Sequence, residues 1–487
     1  MNGEAINPAR DLSPSPLERL WAPIDIASLV VFRIAFGLLM LWEVCRYFDA
    51  GWIKRYYIEP QFFFTYFGFD WVRPWPGDGM YFHFAALGVF ALFIAIGFLY
   101  RISALLFFLG FTYVFLLDKT NYLNHFYLIS LISFLMIFMP AHRAFSIDAW
   151  LRPSLASNTV PAWTRGLLLF QLAMPYIFGG IAKINPDWLA GEPLATWLSG
   201  EGWFKALAKI FKPEAIIFAL CYGGMIYDLF IVPLLLWKRT RIFAVIWTIT
   251  FHLINSQIFS IGVFPWFMIA ATTLFLRPDW PRRLVARFGK SKGDAGNPAG
   301  LGCDLPLVRP LPVVVTRSHR AVTLALGIYV AVQILVPLRH HLYPGPVMWT
   351  EEGHRFSWRM KLRDKESKVR FIAYSPATGR MWDVNYRKFL TPRQRQKMPI
   401  RPDMIHQFSR FLAEKIESQG EGLVEIRVEA MVSVNGKEMC PMIDSTIDLS
   451  REPITLAPAQ WILMPGENLQ QGAAMADADG EEVRSVE

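Results

Sequence analysis

Long apolar runs occupy most of the first 340 residues of this 487-residue chain. Nine runs come close to the roughly 20 residues that a helix needs to cross the hydrocarbon core of a bilayer. The predicted spans are residues 27–45, 79–100, 102–117, 125–140, 163–184, 214–237, 241–259, 261–276 and 319–338. The third, fourth and eighth are short, so we expect one of them to be tilted, half-inserted or buried in the bundle. The pattern predicts an α-helical polytopic membrane bundle.

Alternation of apolar and polar residues replaces the long runs after His341. Apolar residues recur at every second position from Val424 to Val434, and the Asn435-Gly436 pair that follows is typical of a type I′ hairpin turn. The predicted strands are residues 356–362, 368–375, 379–384, 424–434 and a return strand over 438–447. A helix is predicted over 403–417, after Pro402. Residues 340–465 are therefore predicted to form a small α+β domain.

Three further segments fit neither pattern. Residues 1–22 contain no apolar core or cleavage site of a signal peptide, so the first span is expected to act as an uncleaved signal anchor. Residues 277–318 are predicted to form a flexible loop, because they are rich in Gly, Pro, Lys and Ser. Residues 466–487 are rich in Gly, Ala, Glu and Asp, which predicts a disordered acidic tail.

Composition indicates a membrane protein, and the distribution of charge predicts its orientation in the bilayer. Hydrophobic residues make up 53% of the chain and charged residues 18%, which is unusual for a soluble protein of this length. Lys and Arg concentrate in the segments that share a side with the N-terminus, so that side is predicted to be cytoplasmic. The domain after residue 339 is then exported. The net charge of +9 comes largely from the loop at 277–320, which favours contact with lipid headgroups over nucleic acid.

The four cysteines suggest no special chemistry. Cys45 and Cys221 fall in or near spans, Cys303 falls in the cytoplasmic loop, and Cys440 falls in the exported domain. No pair has the CxxC spacing of a zinc or redox site. We therefore predict no metal site and no disulfide framework.

Few polar side chains fall inside the predicted spans, and each needs a partner or a wet cavity. They are Arg33, Glu43, His125, Gln171, Lys183, Asp228, His252, Asn255 and Gln257, with His340 just beyond the last span. For Arg33, paired with Glu43 or Asp228, and for Asp228 itself, a structural role in helix packing is favoured. His252 and Asn255 share a helix face, and taken alone they are more typical of an interhelical hydrogen bond than of a site.

Lys183 and His125 stand out from this set. Lys183 lies at the outer end of the fifth span and His125 at the outer end of the fourth, so both are expected at similar depth. An amine and an imidazole in a dry pocket cannot both be protonated cheaply, which favours a neutral lysine able to take a proton from a weak acid such as a phenol. Catalysis and snorkelling of a helix-end lysine to the interface are both open interpretations.

Several ordered stretches resemble the vitamin K-dependent γ-glutamyl carboxylase family, from about Ala27 to about Ser450. The matching stretches include Phe32 to Met40, Tyr100 to Ser103, Tyr113 to Thr120, Asn124-His125, Lys183 to Trp188, Phe251 to Gly262, Asp279 to Arg282, Trp349-Thr350 and Phe356 to Trp358. Several ordered matches of this length are a stronger signal than one short motif.

The resemblance implies a bundle of membrane helices that binds vitamin K hydroquinone and uses O2 and CO2 as further co-substrates. The family's catalytic lysine deprotonates the hydroquinone, O2 adds to the resulting anion, and a strongly basic intermediate then removes a γ-proton from a substrate glutamate, which captures CO2. By position, Lys183 matches that lysine and His125 a histidine needed beside it. The residues assigned to the hydroquinone or substrate pocket are Asn124, His252, Asn255, Gln257, His340 and Trp358.

Some positions depart from the animal members of that family. Leu123 stands where animal enzymes carry Asn, and Gly353 stands where they carry a larger apolar residue implicated in glutamate binding. The chain also lacks the long exported region that helps hold a propeptide in animal enzymes. The resemblance is therefore to a short, bacterial form in the inner membrane rather than to an enzyme of the endoplasmic reticulum. A glutamate-containing peptide is the expected partner, and an epoxidase without carboxylation or a non-catalytic quinone- or lipid-binding protein are the alternatives.

Overall fold

The structure is a computed structural model that describes residues 15–258, 261–288, 316–466 and 483–486. Each of the nine predicted spans coincides with a helix in these residues. The helices are α1 Ala27–Asp49, α2 Gly79–Ile96, α3 Tyr100–Leu117, α4 Asn124–Phe138, α5 Ala162–Ala182, α6 Pro213–Leu236, α7 Arg241–Ile258, α8 Phe264–Thr272 and α9 Arg317–Leu338. Six of them, α1, α2, α3, α5, α6 and α9, are long and apolar enough to cross a membrane by length and composition.

Small residues bring these helices close together. At Gly37 of α1, an added Cβ would lie 2.5 Å from the Ala91 carbonyl oxygen of α2, so only glycine permits this approach. Gly180 of α5 has the same role against α6, where an added Cβ would lie 2.9 Å from Leu229. Close backbone packing of this kind replaces the hydrophobic effect as the source of helix association in lipid.

Arg33 has a structural role, but its predicted pairing is wrong. Its guanidinium lies against the chain that follows α4, where Nη1 donates to the Ala141 oxygen at 2.9 Å and Nη2 to the Phe145 oxygen at 2.6 Å. Neither Glu43 nor Asp228 contacts it, because Glu43 pairs with Arg46 at 2.5 Å and Asp228 pairs with Lys183 at 2.5 Å. Arg33 therefore holds a loop by satisfying carbonyl groups rather than by neutralising a carboxylate.

The chain after α9 folds into an antiparallel sheet with one long helix against it. Two short strands earlier in the chain, β1 Pro23–Asp25 and β2 Thr159–Pro161, form a separate small ribbon. The strands after α9 are β3 Asp364–Tyr374, β4 Met381–Val384, β5 Glu425–Val434, β6 Cys440–Pro441 and β7 Val483–Val486. The order is β4-β3-β5-β6, and β7 also pairs with β3. Helix α10, Pro402–Ile416, buries Ile405, Phe408 and Leu412 against the sheet.

The predicted hairpin is present but its second arm is short. Asn435 and Gly436 have φ of 54° and 71°, the two left-handed residues of a type I′ turn. Cys440–Pro441 then pairs with β5, where Pro441 cannot donate to the ladder, and the Met442 amide adds one bond to the Ala430 oxygen at 2.8 Å. The predicted return strand over 438–447 is therefore mostly wrong, since the chain continues as isolated pairing between Ile443 and Ile462.

The predicted strand over 356–362 is absent from the described residues. Phe356, Trp358 and Lys361 have φ of 67°, 58° and 53°, which no β-strand adopts. Large and charged residues alternate in this segment, and that alternation predicted a strand. In the structure, successive side chains instead contact different partners. Strand β3 begins only at Asp364.

Two predictions on irregular segments need correction. The predicted flexible loop over 277–318 begins with a helix at Trp280–Phe288, and residues 289–315 lie outside the described residues. In the predicted disordered tail, Val483–Val486 is a strand, so the prediction is wrong for those four residues. Most of the remaining tail lies outside the described residues.

Buried charges connect the membrane helices to the sheet. Lys119, just after α3, donates to Asp403 of α10 at 2.6 Å, and Arg355 donates to the same carboxylate at 2.9 Å. Burial opposes the charged carboxylate, but these two cations outweigh it and hold the pKa of Asp403 well below its usual range. The carboxylate therefore stays charged at neutral pH and ties the two parts together.

Candidate active-site cavity

A cavity of about 660 Å³ lies between the helix ends and the start of the sheet. Its walls are mainly apolar and aromatic. They include Phe126, Tyr176, Trp188, Leu194, Leu198, Phe251, Ile254, Phe264 and Met268. A cavity of this size and lining is typical of a small-molecule site with a few polar groups that set orientation.

Lys183 and Asp228 form the polar centre of this wall. The Lys183 Nζ lies 2.5 Å from Asp228 Oδ2 and 3.4 Å from the Gly179 carbonyl oxygen. Lys183 is 8% exposed and Asp228 is 7% exposed, and both line the cavity. Asp228 was assigned to helix packing by sequence reasoning, whereas the structure makes it the partner of the candidate base.

The local sequence explains why the amine sits here. Gly179 lies beside the carboxylate, where an added Cβ would be in van der Waals contact with Asp228 Oδ2 at 3.4 Å. Helix α5 ends at Ala182, and Asn185 then caps the short helix Pro186–Leu189 by accepting from the Trp188 amide at 3.0 Å. The Trp188 ring packs below the amine, with Nζ 5.4 Å from its centroid. Lys183 is thus held at a fixed corner between two helices.

His125 and Asn124 line the same cavity from the start of α4. The His125 ring stacks on Phe264 at a centroid distance of 5.5 Å, and it makes no hydrogen bond to the described protein groups. Asn124 Oδ1 accepts from the Tyr122 hydroxyl at 2.9 Å, and that hydroxyl accepts from the Phe356 amide at 2.7 Å. Asn124 is therefore oriented by the segment before β3, while His125 is available to a ligand.

His252 and Asn255 lie on one face of α7 and both line the cavity. His252 is 2% exposed, and its Nε2 is 2.8 Å from the Tyr176 hydroxyl of α5. This contact is an interhelical hydrogen bond, as sequence reasoning favoured, and it occurs inside the candidate site. Tyr176 was not among the predicted site residues, and nothing in its local sequence distinguishes it from other membrane-helix tyrosines.

Three predicted pocket residues lie away from the cavity that the described residues enclose. Gln257 is exposed, and its amide donates to Ser256 at 3.2 Å. His340 bonds the Pro337 carbonyl at 2.8 Å and packs on Gly353, where an added Cβ would lie 2.6 Å from the His340 Cα. Trp358 is 1% exposed in the helix core and stacks near Tyr127 at 4.9 Å. The assignment of these residues to the pocket is therefore not supported by their positions.

The cavity also has a basic end that sequence reasoning missed. Arg46, Arg359, Lys361, Arg363, Arg393 and Lys397 line it. Burial lowers the pKa of Lys361 to about 8, because the ammonium loses its hydration there. The signal in the sequence is the alternation of basic residues at 359, 361, 363 and 365, which was interpreted as a strand. These side chains concentrate basic groups at this end of the cavity, where Arg363 pairs with Glu351 at 2.6 Å and Arg46 with Glu43 at 2.5 Å.

The lining therefore has three parts, which are apolar walls that include Phe251, Phe264 and Met268, the Lys183 amine, and a basic end around Arg359. Apolar walls suit an apolar ligand and basic groups suit an anionic one.

Two family matches cover most of the chain. Residues 21–280 match the HTTM domain, which is more than half of the chain. Residues 318–468 match the lumenal domain of vitamin K-dependent gamma-carboxylase. No solved structure matches the chain. The Lys183 cavity lies where the parts covered by these two matches meet. An HTTM domain followed by this lumenal domain shows that the chain belongs to the vitamin K-dependent γ-carboxylase family.

Proposed function

We propose that this chain is a membrane enzyme that couples oxidation of a vitamin K hydroquinone by O2 to γ-carboxylation of a glutamate. The observation that supports it is the Lys183 amine, paired with Asp228 at 2.5 Å in an apolar cavity of about 660 Å³. Family membership makes this chemistry the expected one.

Lys183 acts as the base in this proposal. Its Nζ takes the proton of a hydroquinone hydroxyl, and the Asp228 carboxylate stabilises the ammonium that results.

His125, Asn124 and the aromatic walls have supporting roles. His125 is placed to hydrogen-bond the ligand, because no described protein group occupies its ring nitrogens. When bound, the hydroquinone and O2 supply the oxidation that generates a base strong enough to remove a glutamyl γ-proton. The apolar lining excludes water, which would quench such a base.

The basic end of the cavity supports a glutamyl substrate. Arg359, Lys361 and Arg363 follow one another along the segment before β3 and line the cavity beyond Lys183. A substrate carboxylate there is neutralised while its γ-carbon faces the site of oxidation. This observation favours carboxylation over epoxidation alone.

One assay scores both half-reactions. Membranes that contain the protein are given vitamin K hydroquinone, O2 and labelled bicarbonate, with and without a glutamyl peptide. We expect epoxide in both cases and label in the peptide only in the second. Epoxide without label assigns the chain to the epoxidase alternative, and quinone binding without epoxide assigns it to the non-catalytic alternative.

We also propose an N-terminus in the cytoplasm and an exported sheet domain, in a bacterial inner membrane. The native cysteines test this orientation. In sealed right-side-out vesicles, a membrane-impermeant maleimide is expected to label a variant that keeps only Cys440 and not one that keeps only Cys303. The reverse labelling would contradict the orientation.

A further inference from the structure

The sheet begins where the basic end of the cavity stops. Arg359, Lys361 and Arg363 line the cavity, and the next residue, Asp364, is the first of β3. One edge of β3 is covered along its length by β5. On the other edge β4 pairs only with Phe371 to Tyr374. The first residues of β3, which are nearest the cavity, therefore have no pairing with β4 and can pair with another strand.

That part of the edge carries the short strand β7. The register pairs Val483 with Ser367 and Val486 with Asp364, in antiparallel sense. The direction from Val483 to Val486 therefore runs toward Arg363 and the cavity. Each further residue of an extended peptide advances about 3.4 Å, so the residue after such a strand arrives beside Arg363.

The charge at this point favours an acidic residue. Arg359, Lys361, Arg363 and Lys397 line this end of the cavity, and the buried Nε of Arg359 has no partner among the described residues. In the sequence, the residue that follows Val486 is a glutamate, Glu487, which lies outside the described residues.

We propose that the β3 edge at Asp364–Ser367 is a docking track for an extended acidic peptide, which adds a strand and presents its next acidic residue to the basic end of the cavity. Residues Val483–Val486 occupy this track in cis and compete with such a peptide. Main-chain hydrogen bonds supply the affinity and the basic residues supply the preference for an acidic end. The acidic preference rests on the proposed function, whereas the strand addition does not.

The competition is tested in the full chain. Successive N–H groups of a strand point to opposite edges, so one of the two neighbouring residues Arg484 and Ser485 points its N–H toward β3. Because proline has no N–H, replacing both by Pro removes that donor whichever of the two it is. Ala473→Pro, in the same tail but outside β7, is the matched control. The probes are the labelled peptides Val-Arg-Ser-Val-Glu and Val-Arg-Ser-Val-Gln, with binding followed by fluorescence anisotropy.

We expect the double-proline variant to bind the glutamate peptide at least about fivefold more tightly than the parent and the control, because the in-cis strand no longer competes. The glutamine peptide should bind at least about threefold more weakly than the glutamate peptide. Equal affinity of the double-proline variant and the parent overturns the docking track, and equal affinity of the two peptides overturns the acidic preference.

Hydrogen exchange gives a second readout that needs no added peptide. The Asp364 amide donates to Asn435 on the β5 side, so the amides of Lys365 and Ser367 face β7. These two amides should exchange faster in the double-proline variant than in the parent and slow again when the glutamate peptide is added. Unchanged exchange at these amides overturns the proposal. Neither measurement uses turnover, so loss of epoxidase activity and loss of peptide docking are scored independently.

Discussion

At the scale of single residues, Lys183 stands out because placing an ionisable side chain at membrane depth costs free energy. A lysine in such a position is therefore a candidate for a functional role. The sequence predicted the amine and its shared cavity with His125, but it assigned Asp228 to helix packing. Lys183 and Asp228 lie 45 positions apart on separate helices. The close approach of α5 and α6 at Gly180 brings them together, and no local pattern encodes that approach.

Asp228→Asn tests the pairing. The amide keeps the shape of the side chain but loses the charge that stabilises the ammonium after proton transfer. We expect kcat for epoxide formation to fall about 10- to 100-fold while KM for the hydroquinone changes little. Steady-state rates over a range of hydroquinone concentrations measure both constants. A rise in KM with unchanged kcat would show that Asp228 binds substrate rather than assisting the base.

At the scale of elements, helices were predictable and short irregular segments were not. Nine apolar runs gave nine helices at the predicted positions, because their hydrophobic length is a local property. The segment from Phe356 to Lys361 defeated the strand prediction, since its left-handed backbone depends on packing against Tyr122 and Tyr127. The same segment carries Arg359 and Lys361 of the basic end, so the missed strand and this part of the missed site have one cause.

The hairpin between β5 and β6 reaches the loop that carries Lys183. Asn435 Nδ2 donates to Asp187 Oδ2 at 2.9 Å, and Lys437 Nζ lies 2.7 Å from Asp187 Oδ1. Asp187 lies four residues after Lys183, in the short helix Pro186–Leu189 that Asn185 caps. The sheet domain is therefore in contact with the support of the candidate base.

Asp187→Ala should loosen that support. We expect kcat for epoxide formation to fall about 10-fold, because small misplacement of a base is costly, with hydroquinone binding little changed. Lys437→Met is the matched control, since its ammonium is largely exposed and such ion pairs contribute little. Thermal melting of both variants separates loss of position from loss of fold. Equal activity of Asp187→Ala and the parent would contradict this role.

At the scale of the whole molecule, buried ion pairs link the bundle to the sheet. Buried charge also makes one end of the cavity basic and leaves the rest mainly apolar. Lys119 and Arg355 meet Asp403 between the two parts, and Glu351 pairs with Arg363 at 2.6 Å and Lys365 at 2.8 Å. The sequence predicted two regions and their border, but it gave no sign that buried ion pairs would join them. Such pairs form between residues far apart in the chain, so they follow from the fold and not from any local pattern.

The basic end should lose charge in mild alkali. The pKa of Lys361 is about 8 because burial disfavours its ammonium, and burial with nearby arginines also lowers the pKa of Lys397. Lys361 is charged below about pH 8 and neutral above it, so affinity for an acidic peptide should fall as pH rises through 8. We expect a loss of about fivefold between pH 7 and pH 9.

Lys361→Arg is the matched variant, since a guanidinium keeps its charge over this range. Its affinity for the acidic peptide should change less between pH 7 and pH 9 than that of the parent. Fluorescence anisotropy at several pH values measures both proteins. Parallel pH profiles would assign the dependence to other groups, such as Lys365, whose pKa burial also lowers to about 8.

Epoxide formation by Lys183 variants tests the central claim most directly. Membranes with the parent, Lys183→Ala, Lys183→Arg or the exposed control Lys205→Ala are given vitamin K hydroquinone and O2. A base at Lys183 predicts that both Lys183 variants lose activity by about 100-fold or more, since arginine keeps the charge but cannot accept a proton near neutral pH, while Lys205→Ala is unaffected. Activity in Lys183→Arg close to that of the parent would contradict the account.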